Sequence, residues 1–165
     1  MIEIIETSSQ DLPVIRQLAA QTFYPTYLPN QPKDKVEYLY NRMYSMSSLT
    51  EQMKNGQRFI LAKDKTGYLG FASYEINYKN LPVTKIHKIY VLPSAQGKGV
   101  GKELVNYISN IAKQNKCEAL LLDVYRHNPA IQFYEKMGFK KVAEQITDVG
   151  NGFVMDDFVM ERNVS

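Results

Sequence analysis

The spacing of apolar residues changes several times along the chain, and each change predicts a different element of secondary structure. Residues 2–6 are rich in β-branched side chains and are typical of a first strand. Three helical patterns follow, the first after a cap at Ser9 and the third after a cap at Ser47 or Ser48, with its end at Gly56. We expect residues 23–33, with three prolines, to form an irregular loop. The helical positions are Leu12, Ile15, Leu18, Ala19 and Phe23, then Val36, Leu39, Tyr40 and Met43, then Leu49 and Met53.

The second half of the chain has the pattern of strands interrupted by two helices. The predicted strands are residues 58–63, 68–78, 86–92, 117–124, 140–146 and 153–160, and the predicted helices are residues 99–115 and the stretch from Asn128-Pro129 to Gly138. The order predicts an α/β (α+β) fold with a mixed sheet and a single strand–helix–strand crossover at its centre.

Composition is that of an ordinary globular protein. With 165 residues, of which 44% are apolar and 22% charged, we expect one domain spanning residues 1–165. Basic residues are scattered among acidic ones at a net charge of +3, so no nucleic-acid-binding face is expected. Cys117 is the only cysteine, which excludes an internal disulfide and favours a buried core thiol. No leader or membrane-spanning apolar run is evident, so we expect a cytoplasmic protein without a membrane partner.

The most informative stretch is the glycine-rich turn Gln96-Gly97-Lys98-Gly99-Val100-Gly101-Lys102, which joins a strand to a helix beginning near Gly99. Unpaired amides at a helix N-terminus carry partial positive charge, and glycines let a diphosphate approach the backbone closely. A Walker A loop is excluded, because three residues rather than four separate Gly97 from Gly101, and Glu103 replaces the magnesium-binding hydroxyl.

A dinucleotide fingerprint fits the turn only in part. Leu104 stands where the third glycine of GxGxxG belongs, although Asp123 lies about 20 residues further on, where a ribose-binding acid is expected. This alternative stays open, but no second strand–helix–strand half follows it in the sequence.

The same turn resembles the Q/R-x-x-G-x-G/A signature of the GNAT superfamily of N-acetyltransferases. Residues 127–139, HNPAIQFYEKMGF, are similar to that family's motif N-x-x-A-I-x-F-Y-x-K-x-G-F. Residues 21–27 and 156–160 look like those of bacterial spermidine/spermine acetyltransferases of the PaiA type. The resemblance implies a mostly antiparallel sheet of six to seven strands with helices on both faces, and an N-acetyltransferase that uses acetyl-CoA.

The resemblance also implies a role for each matched residue. The pantetheine arm would bond to the backbone of the central strand and to Asn128, and the diphosphate would lie on the turn. Tyr134 would face the thioester sulfur and give a proton to the departing thiolate. No enzyme nucleophile is needed, because the amine attacks the thioester directly. The predicted cofactor-binding residues are Ile89, Tyr90, Val91, Gln96, Gly97, Lys98, Gly99, Val100, Gly101, Lys102, Asn128, Ala130, Phe133 and Lys136.

The sequence does not single out one group that would take the proton from the amine. Many relatives keep a glutamate on the central strand, where this chain reads Lys85-Ile86-His87-Lys88-Ile89. By period-two alternation His87 shares a face with Lys85, Ile89 and Val91, and its reference pKa of about 6.5 suits a base. Glu75 or a chain of water molecules is the alternative.

For the acceptor, we expect a small-molecule amine near residues 23–56, with a polyamine as the leading hypothesis. The carboxylates that could line its groove are Asp34, Glu37, Glu75, Asp156 and Asp157. Acetylation of protein N-termini or lysines and a non-catalytic acyl-CoA-binding module remain alternatives, and a homodimer is an open prediction. Two histidines and one cysteine, far apart, do not favour a metal site.

Overall fold

A computed structural model describes residues 1–164, and within them seven strands form one sheet with helices on both faces. The strands are β1 (Glu3–Glu6), β2 (Arg58–Asp64), β3 (Gly67–Glu75), β4 (Val83–Val91), β5 (Ala119–Tyr125), β6 (Lys140–Gly150) and β7 (Phe153–Asn163). The helices are α1 (Leu12–Tyr27), α2 (Lys33–Tyr44), α3 (Met46–Lys54), α4 (Val100–Gln114) and α5 (Ala130–Lys136). The sheet order is β1-β2-β3-β4-β5-β7-β6.

The predicted crossover lies at the centre of this sheet. β4 and β5 pair in parallel and are joined through α4, whereas the other neighbouring strands of the described chain pair antiparallel. The mixed, mostly antiparallel fold predicted from the sequence is confirmed.

Each face of the sheet has its own apolar core. On one face, Leu104 and Ile108 of α4 are fully buried against Leu122 of β5. Their separation of four residues places them on one side of the helix. On the other face, α1, α2 and α3 pack against Phe59 and Phe71. Across residues 1–164 no helix is both long and apolar enough to cross a membrane.

Helix α1 extends one turn further than predicted and contains Pro25, so the predicted loop at residues 23–33 was wrong in its first part. Proline removes a helical hydrogen bond, but the aromatic rings on either side of it offset that loss. Phe23 and Tyr27, four residues apart, pack with their ring centroids 4.6 Å apart. The extension brings Tyr27 to the edge of β4, where its hydroxyl lies 2.9 Å from that of Tyr90.

Smaller differences have local causes. β3 ends at Glu75 rather than at residue 78, because Asn77 turns the chain with a φ of +53°. Ser45 rather than Ser47 or Ser48 caps α3, its hydroxyl accepting a hydrogen bond from the Ser48 N–H at 3.2 Å.

Candidate active site

The sheet divides between β4 and β5. The two strands pair only from Val83 with Ala119 to Ile86 with Leu122. Beyond that point β4 stays paired with β3, while β5 stays paired with β7. The facing edges of residues 89–91 and 123–125 therefore have no strand partner in the part of the chain that the structure describes, and a cleft of about 720 Å³ lies between them. A free strand edge can bind an extended ligand through its backbone.

The N-terminus of α4 lines this cleft. Gly97 and Gly99 both have a φ of +82°, a conformation that side chains disfavour, and they turn the chain from β4 into the helix. A Cβ atom at either position would meet nothing within 4 Å, so the backbone borders open space. At Gly101, by contrast, a Cβ atom would lie 3.0 Å from Cζ of Phe133, so this glycine lets α4 and α5 pack closely. The first amides of α4 lack intrahelical partners and suit a diphosphate.

Most of the predicted site residues come together in the cleft. Lys98 and Lys136 are the exceptions, because both are exposed and neither lines it. Those that line it are His87, Ile89, Tyr90, Val91, Gln96, Gly97, Gly99, Val100, Gly101, Lys102, Asn128, Ala130, Phe133 and Tyr134. Cys117 lies outside the lining and is buried just before β5, with its thiol 3.6 Å from Oδ1 of Asn77.

Tyr134 is held by its neighbours in the wall of the cleft. Its ring packs against Phe133 and Phe139, with centroid distances of 5.3 and 5.8 Å, and 6% of the residue is exposed. Burial, and secondarily Tyr27, raises the pKa of Tyr134 above its ordinary value of 10. The phenol therefore keeps its proton at neutral pH and is a hydrogen-bond donor, but it is a weaker acid than the reference value suggested.

Tyr27 and Tyr90, which also line the cleft, form a pair of phenols with their hydroxyls 2.9 Å apart. Burial raises the pKa of Tyr27 to about 12 and that of Tyr90 well above 10, so both hydroxyls are protonated at neutral pH. The side chain of Tyr90 packs on the α1 face, whereas Ile89 and Val91 pack on the α4 face.

Asn128 lies two residues before the start of α5 and organises its first turn. Its Oδ1 atom accepts a hydrogen bond from the Ala130 N–H at 2.9 Å. The side chain also lies near the Tyr27 hydroxyl, where it offsets a small part of the rise in the pKa of that group. The amide donors of Asn128 are thereby oriented at the cleft wall.

A β-bulge places His87 differently from the prediction. Ser73 pairs with Lys88 and Tyr74 pairs with Ile86, so His87 is an extra residue on β4. The prediction that His87 shares a face with Ile89 and Val91 is therefore wrong, because strict alternation fails at a bulge. His87 instead lies 2.9 Å, through Nε2, from Oε1 of Glu75.

The surroundings of His87 keep it uncharged. Burial, together with the positive charges of Lys88 and Lys85, lowers the pKa of His87 below its ordinary 6.5. The Glu75 carboxylate acts in the opposite direction, but burial is the larger effect. A neutral imidazole bonded to a carboxylate donates its Nε2–H, which leaves Nδ1 as a proton acceptor.

Lys88, the residue after the bulge, is buried without a carboxylate partner. Its Nζ donates to the amide oxygens of Gln52 at 2.6 Å and Gln57 at 3.0 Å. Burial lowers the pKa of Lys88 to about 7. These bonds tie β4 to the end of α3 at the level of the bulge.

A second pocket, of about 300 Å³, adjoins the cleft on the side of α1 and α2, and we call it the side pocket. Its walls are part apolar and part polar. Five residues line both the cleft and the side pocket: Tyr27, Ile86, His87, Tyr90 and Asp123. The side pocket is otherwise lined by Phe23, Gln31, Leu39, Met43, Lys85, Tyr125, Gln145, Thr147, Met155 and Asp157.

One of the five carboxylates predicted for an acceptor groove, Asp157, lines the side pocket. It lies directly between Tyr125 of β5 and Gln145 of β6 in the strand register. Because side chains alternate along a strand, the adjacent Asp156 points to the other face, where its Oδ1 accepts a hydrogen bond from Arg126 at 3.1 Å.

The other predicted carboxylates lie elsewhere. Asp34 and Glu37 are exposed on α2, and Glu75 is bonded to His87. Asp123, considered from the sequence as a ribose-binding acid, instead forms an ion pair with Lys85 at 2.9 Å.

Comparison with known proteins identifies the family. The model of the Acetyltransferase (GNAT) family matches residues 14–139. The chain belongs to this family.

Individual relatives extend over nearly the whole chain. Spermidine N(1)-acetyltransferase of Thermoplasma acidophilum is 26% identical over 94% of this chain and 96% of its own length. The crystal structure of PaiA N-acetyltransferase from the same organism, in complex with coenzyme A, has a TM-score of 0.80 at 25% identity and covers 99% of both chains. The ribosomal-protein-S18-alanine N-acetyltransferase of Escherichia coli has a TM-score of 0.74 at 18% identity, covers 100% of this chain and 95% of its own, and shows the shared fold alone. The predicted resemblance to GNAT proteins of the PaiA type is confirmed.

This GNAT protein is an acetyl-CoA-dependent N-acetyltransferase. The cleft fits that cofactor in two respects: a free strand edge suits the amides of pantetheine, and the unhindered glycine turn suits a diphosphate.

Sequence reasoning missed several residues at the junction of the cleft and the side pocket. Tyr27 could have been found, because it is four residues from Phe23 and continues the helical spacing through Pro25. Gln31 and the pair Lys85–Asp123 had no local signal, since β5 and the α1–α2 connection meet β4 only in the folded chain.

Proposed function

We propose that this GNAT protein transfers the acetyl group of acetyl-CoA directly to a primary amine of a small polyamine. The observation that carries the proposal is that the side pocket and the cleft lie side by side and share lining residues, His87 and Tyr90 among them. An amine in the side pocket and a thioester in the cleft would meet there.

We assign the binding of the cofactor mainly to the main chain. The free edge of residues 89–91 and the amide donors of Asn128 would bond to the pantetheine arm, and residues 96–102 would hold the diphosphate. Ala130 and Phe133 would cover the arm from α5. Lys98 and Lys136, being exposed, would act at most as surface charges near the phosphates.

Tyr134 is assigned to the sulfur. Acetyl-CoA supplies an activated acetyl thioester, and the Tyr134 hydroxyl would stabilise negative charge on its sulfur by donating a hydrogen bond. Because burial raises the pKa of Tyr134, a hydrogen bond explains its role better than complete proton transfer does.

His87 is assigned to the amine, with Glu75 as its positioning residue. His87 lines both cavities and is neutral, so Nδ1 can take up a proton, but burial lowers the pKa of His87 and makes it a weak base. The Glu75 carboxylate, 2.9 Å from Nε2, would then stabilise the imidazolium. A water chain through the same junction is the alternative route.

Two observations support a polyamine over other amines. The side pocket has carboxylates and phenols among apolar walls, which suits a chain of methylene groups with cationic nitrogens. The spermidine N(1)-acetyltransferase of Thermoplasma acidophilum is similar along nearly the whole chain. A homodimer remains a prediction.

A turnover screen tests the proposal. Release of the CoA thiol is measured with spermidine, spermine, single amino acids, and peptides with free α-amino or lysine amines. We expect the highest kcat/KM with a polyamine. A preference for peptides would overturn the polyamine assignment, and tight acetyl-CoA binding without turnover of any amine would indicate a binding module. On the preferred acceptor, His87→Asn should lower kcat by about tenfold or more, whereas unchanged kcat would favour the water chain.

A further inference from the structure

Two buried acceptor atoms in the wall of the side pocket have no hydrogen-bond partner among the described residues. They are Oδ1 of Asp157 and Oε1 of Gln31. Buried polar atoms are nearly always hydrogen-bonded, and a carboxylate oxygen left unpaired is costly. Both atoms are acceptors only, so the group that would satisfy them is a donor. Asp157 is 5% exposed, which means that bulk water does not fully substitute for that donor.

The charges around Asp157 favour a cationic donor. Asp123 of β5 already has Lys85 of β4 at 2.9 Å, so its charge is balanced within the protein. No nitrogen of a basic side chain in residues 1–164 lies within 4.0 Å of the Asp157 carboxylate. The nearest influences are mixed: Asp123 and Asp156 repel its charge, whereas Lys85 and Lys35 of α2 attract it from a distance. Asp157 is therefore the carboxylate of the side pocket that has no cation of its own.

The rest of the side pocket limits what can carry that cation. Phe23, Leu39, Met43 and Met155 form apolar walls, and the junction with the cleft lies at His87 and Tyr90. A ligand that reaches from the junction to Asp157 thus needs an apolar middle and a cationic nitrogen at its far end.

We infer that Asp157 is the residue that selects the acceptor, by binding a second ammonium group separated from the acetylated amine by a short chain of methylene groups. Gln31 supplies a further acceptor for the N–H groups of that ammonium. The inference rests on the proposed function and adds to it the residue that distinguishes a diamine from a simple amine.

Steady-state kinetics on the intact protein test this inference. Putrescine and spermidine are compared with n-butylamine, which has the carbon chain of putrescine but lacks its second ammonium group. Wild type is expected to show a kcat/KM for putrescine about tenfold or more above that for n-butylamine, mainly through KM. Asp157→Asn, which has the same shape without the charge, should raise KM for both polyamines about tenfold and change kcat and the rate with n-butylamine by less than about twofold.

Asp156→Asn is the matched control. It removes a carboxylate from the adjacent position of β7, on the opposite face, and should keep the wild-type preference. Equal kcat/KM of the wild-type protein for putrescine and n-butylamine would overturn the inference. This comparison needs no variant, so it holds even if Asp157→Asn does not fold. An unchanged preference in a folded Asp157→Asn would also overturn it while leaving the proposed function intact. If peptides alone are acetylated, the proposed function fails and this inference falls with it.

Discussion

The cleft and the side pocket differ in how the chain builds them. The cleft takes most of its lining from two short stretches, residues 86–102 and 122–134, with a smaller part from residues 22–30, and it offers backbone groups at a strand edge and a helix N-terminus. The side pocket takes two to four residues from each of α1, α2, β4, β5, β6 and β7, and Gln31 from the connection between α1 and α2. Its contacts are made by side chains, which can change one at a time.

The cleft is suited to a function that stays constant, the binding of one cofactor, and the side pocket is suited to a function that varies, the choice of acceptor. Backbone groups are the same whichever residue carries them, so a cleft of this kind can keep one cofactor through extensive sequence change. A pocket made of side chains from six elements changes its specificity with any of them. Substitutions in the two regions should therefore have different kinetic signatures.

The largest expected effect is at Tyr134, where the cleft would contribute to chemistry as well as binding. Tyr134→Phe should lower kcat about 100-fold, because the donor to the sulfur is lost, with KM for both substrates changed less than about threefold. Initial rates at saturating acetyl-CoA measure this. Tyr44→Phe is the control, since the buried Tyr44 hydroxyl has no partner in the described chain and does not line the cleft. Equal kcat in Tyr134→Phe and wild type would leave the cleft a binding surface only.

A smaller effect is expected at the glycine turn. Gly99→Ala should raise KM for acetyl-CoA about tenfold, because a side chain at a φ of +82° strains the turn and shifts its amides. Gly152→Ala is closely matched: its φ is +77°, and an added Cβ atom there also meets nothing within 4 Å. Both variants should lose a similar amount of stability, about 1 kcal/mol. Equal KM values for acetyl-CoA in the two variants would contradict a backbone-built cofactor site.

The smallest effect is on stability and belongs to the side pocket. Burial raises the pKa of Asp157 from 3.8 to about 6, so the folded state disfavours its charge. This penalty is absent below the unfolded pKa and is complete above the folded one. Asp157→Asn should therefore raise Tm by about 2–4 °C at pH 7, equivalent to about 1 kcal/mol, and much less near pH 4. Thermal unfolding at both pH values measures this, with Asp156→Asn, which loses an Arg126 contact, expected to lower Tm. A lower Tm for Asp157→Asn at pH 7 would show that its carboxylate already has a partner in the protein.

The cleft could be predicted from sequence because its determinants are local. Gly97, Gly99 and Gly101 follow an apolar strand and precede a helical pattern, and that order alone indicates amides at a helix N-terminus. The second motif, from Asn128 onwards, lies in and beside one short helix, and the family resemblance indicated Asn128, Ala130, Phe133 and Tyr134, which line the cleft, but also Lys136, which does not.

The side pocket and the base could not be predicted in the same way. His87 is displaced by a bulge that depends on pairing with β3, and period-two alternation contains no sign of it. Asp156 and Asp157 are adjacent residues of the same type. Only the strand register, which places Asp157 between Tyr125 and Gln145, decides which of the two faces the side pocket. The helix through Pro25 depends on aromatic contacts with other elements, which outweigh the local preference of proline.

The early end of the ladder between β4 and β5 also bears on aggregation. A sheet normally has free edges only at its rims, here β1 and β6, and free edges invite pairing with strands of other molecules. The split adds two more free edges, but α1, α4 and α5 border the cleft that contains them. Because these helices border the cleft, its two free edges are less accessible to a strand of another molecule than the rims of the sheet are. The protein can thus keep unpaired backbone for recognition at its centre without offering it as a template for self-association.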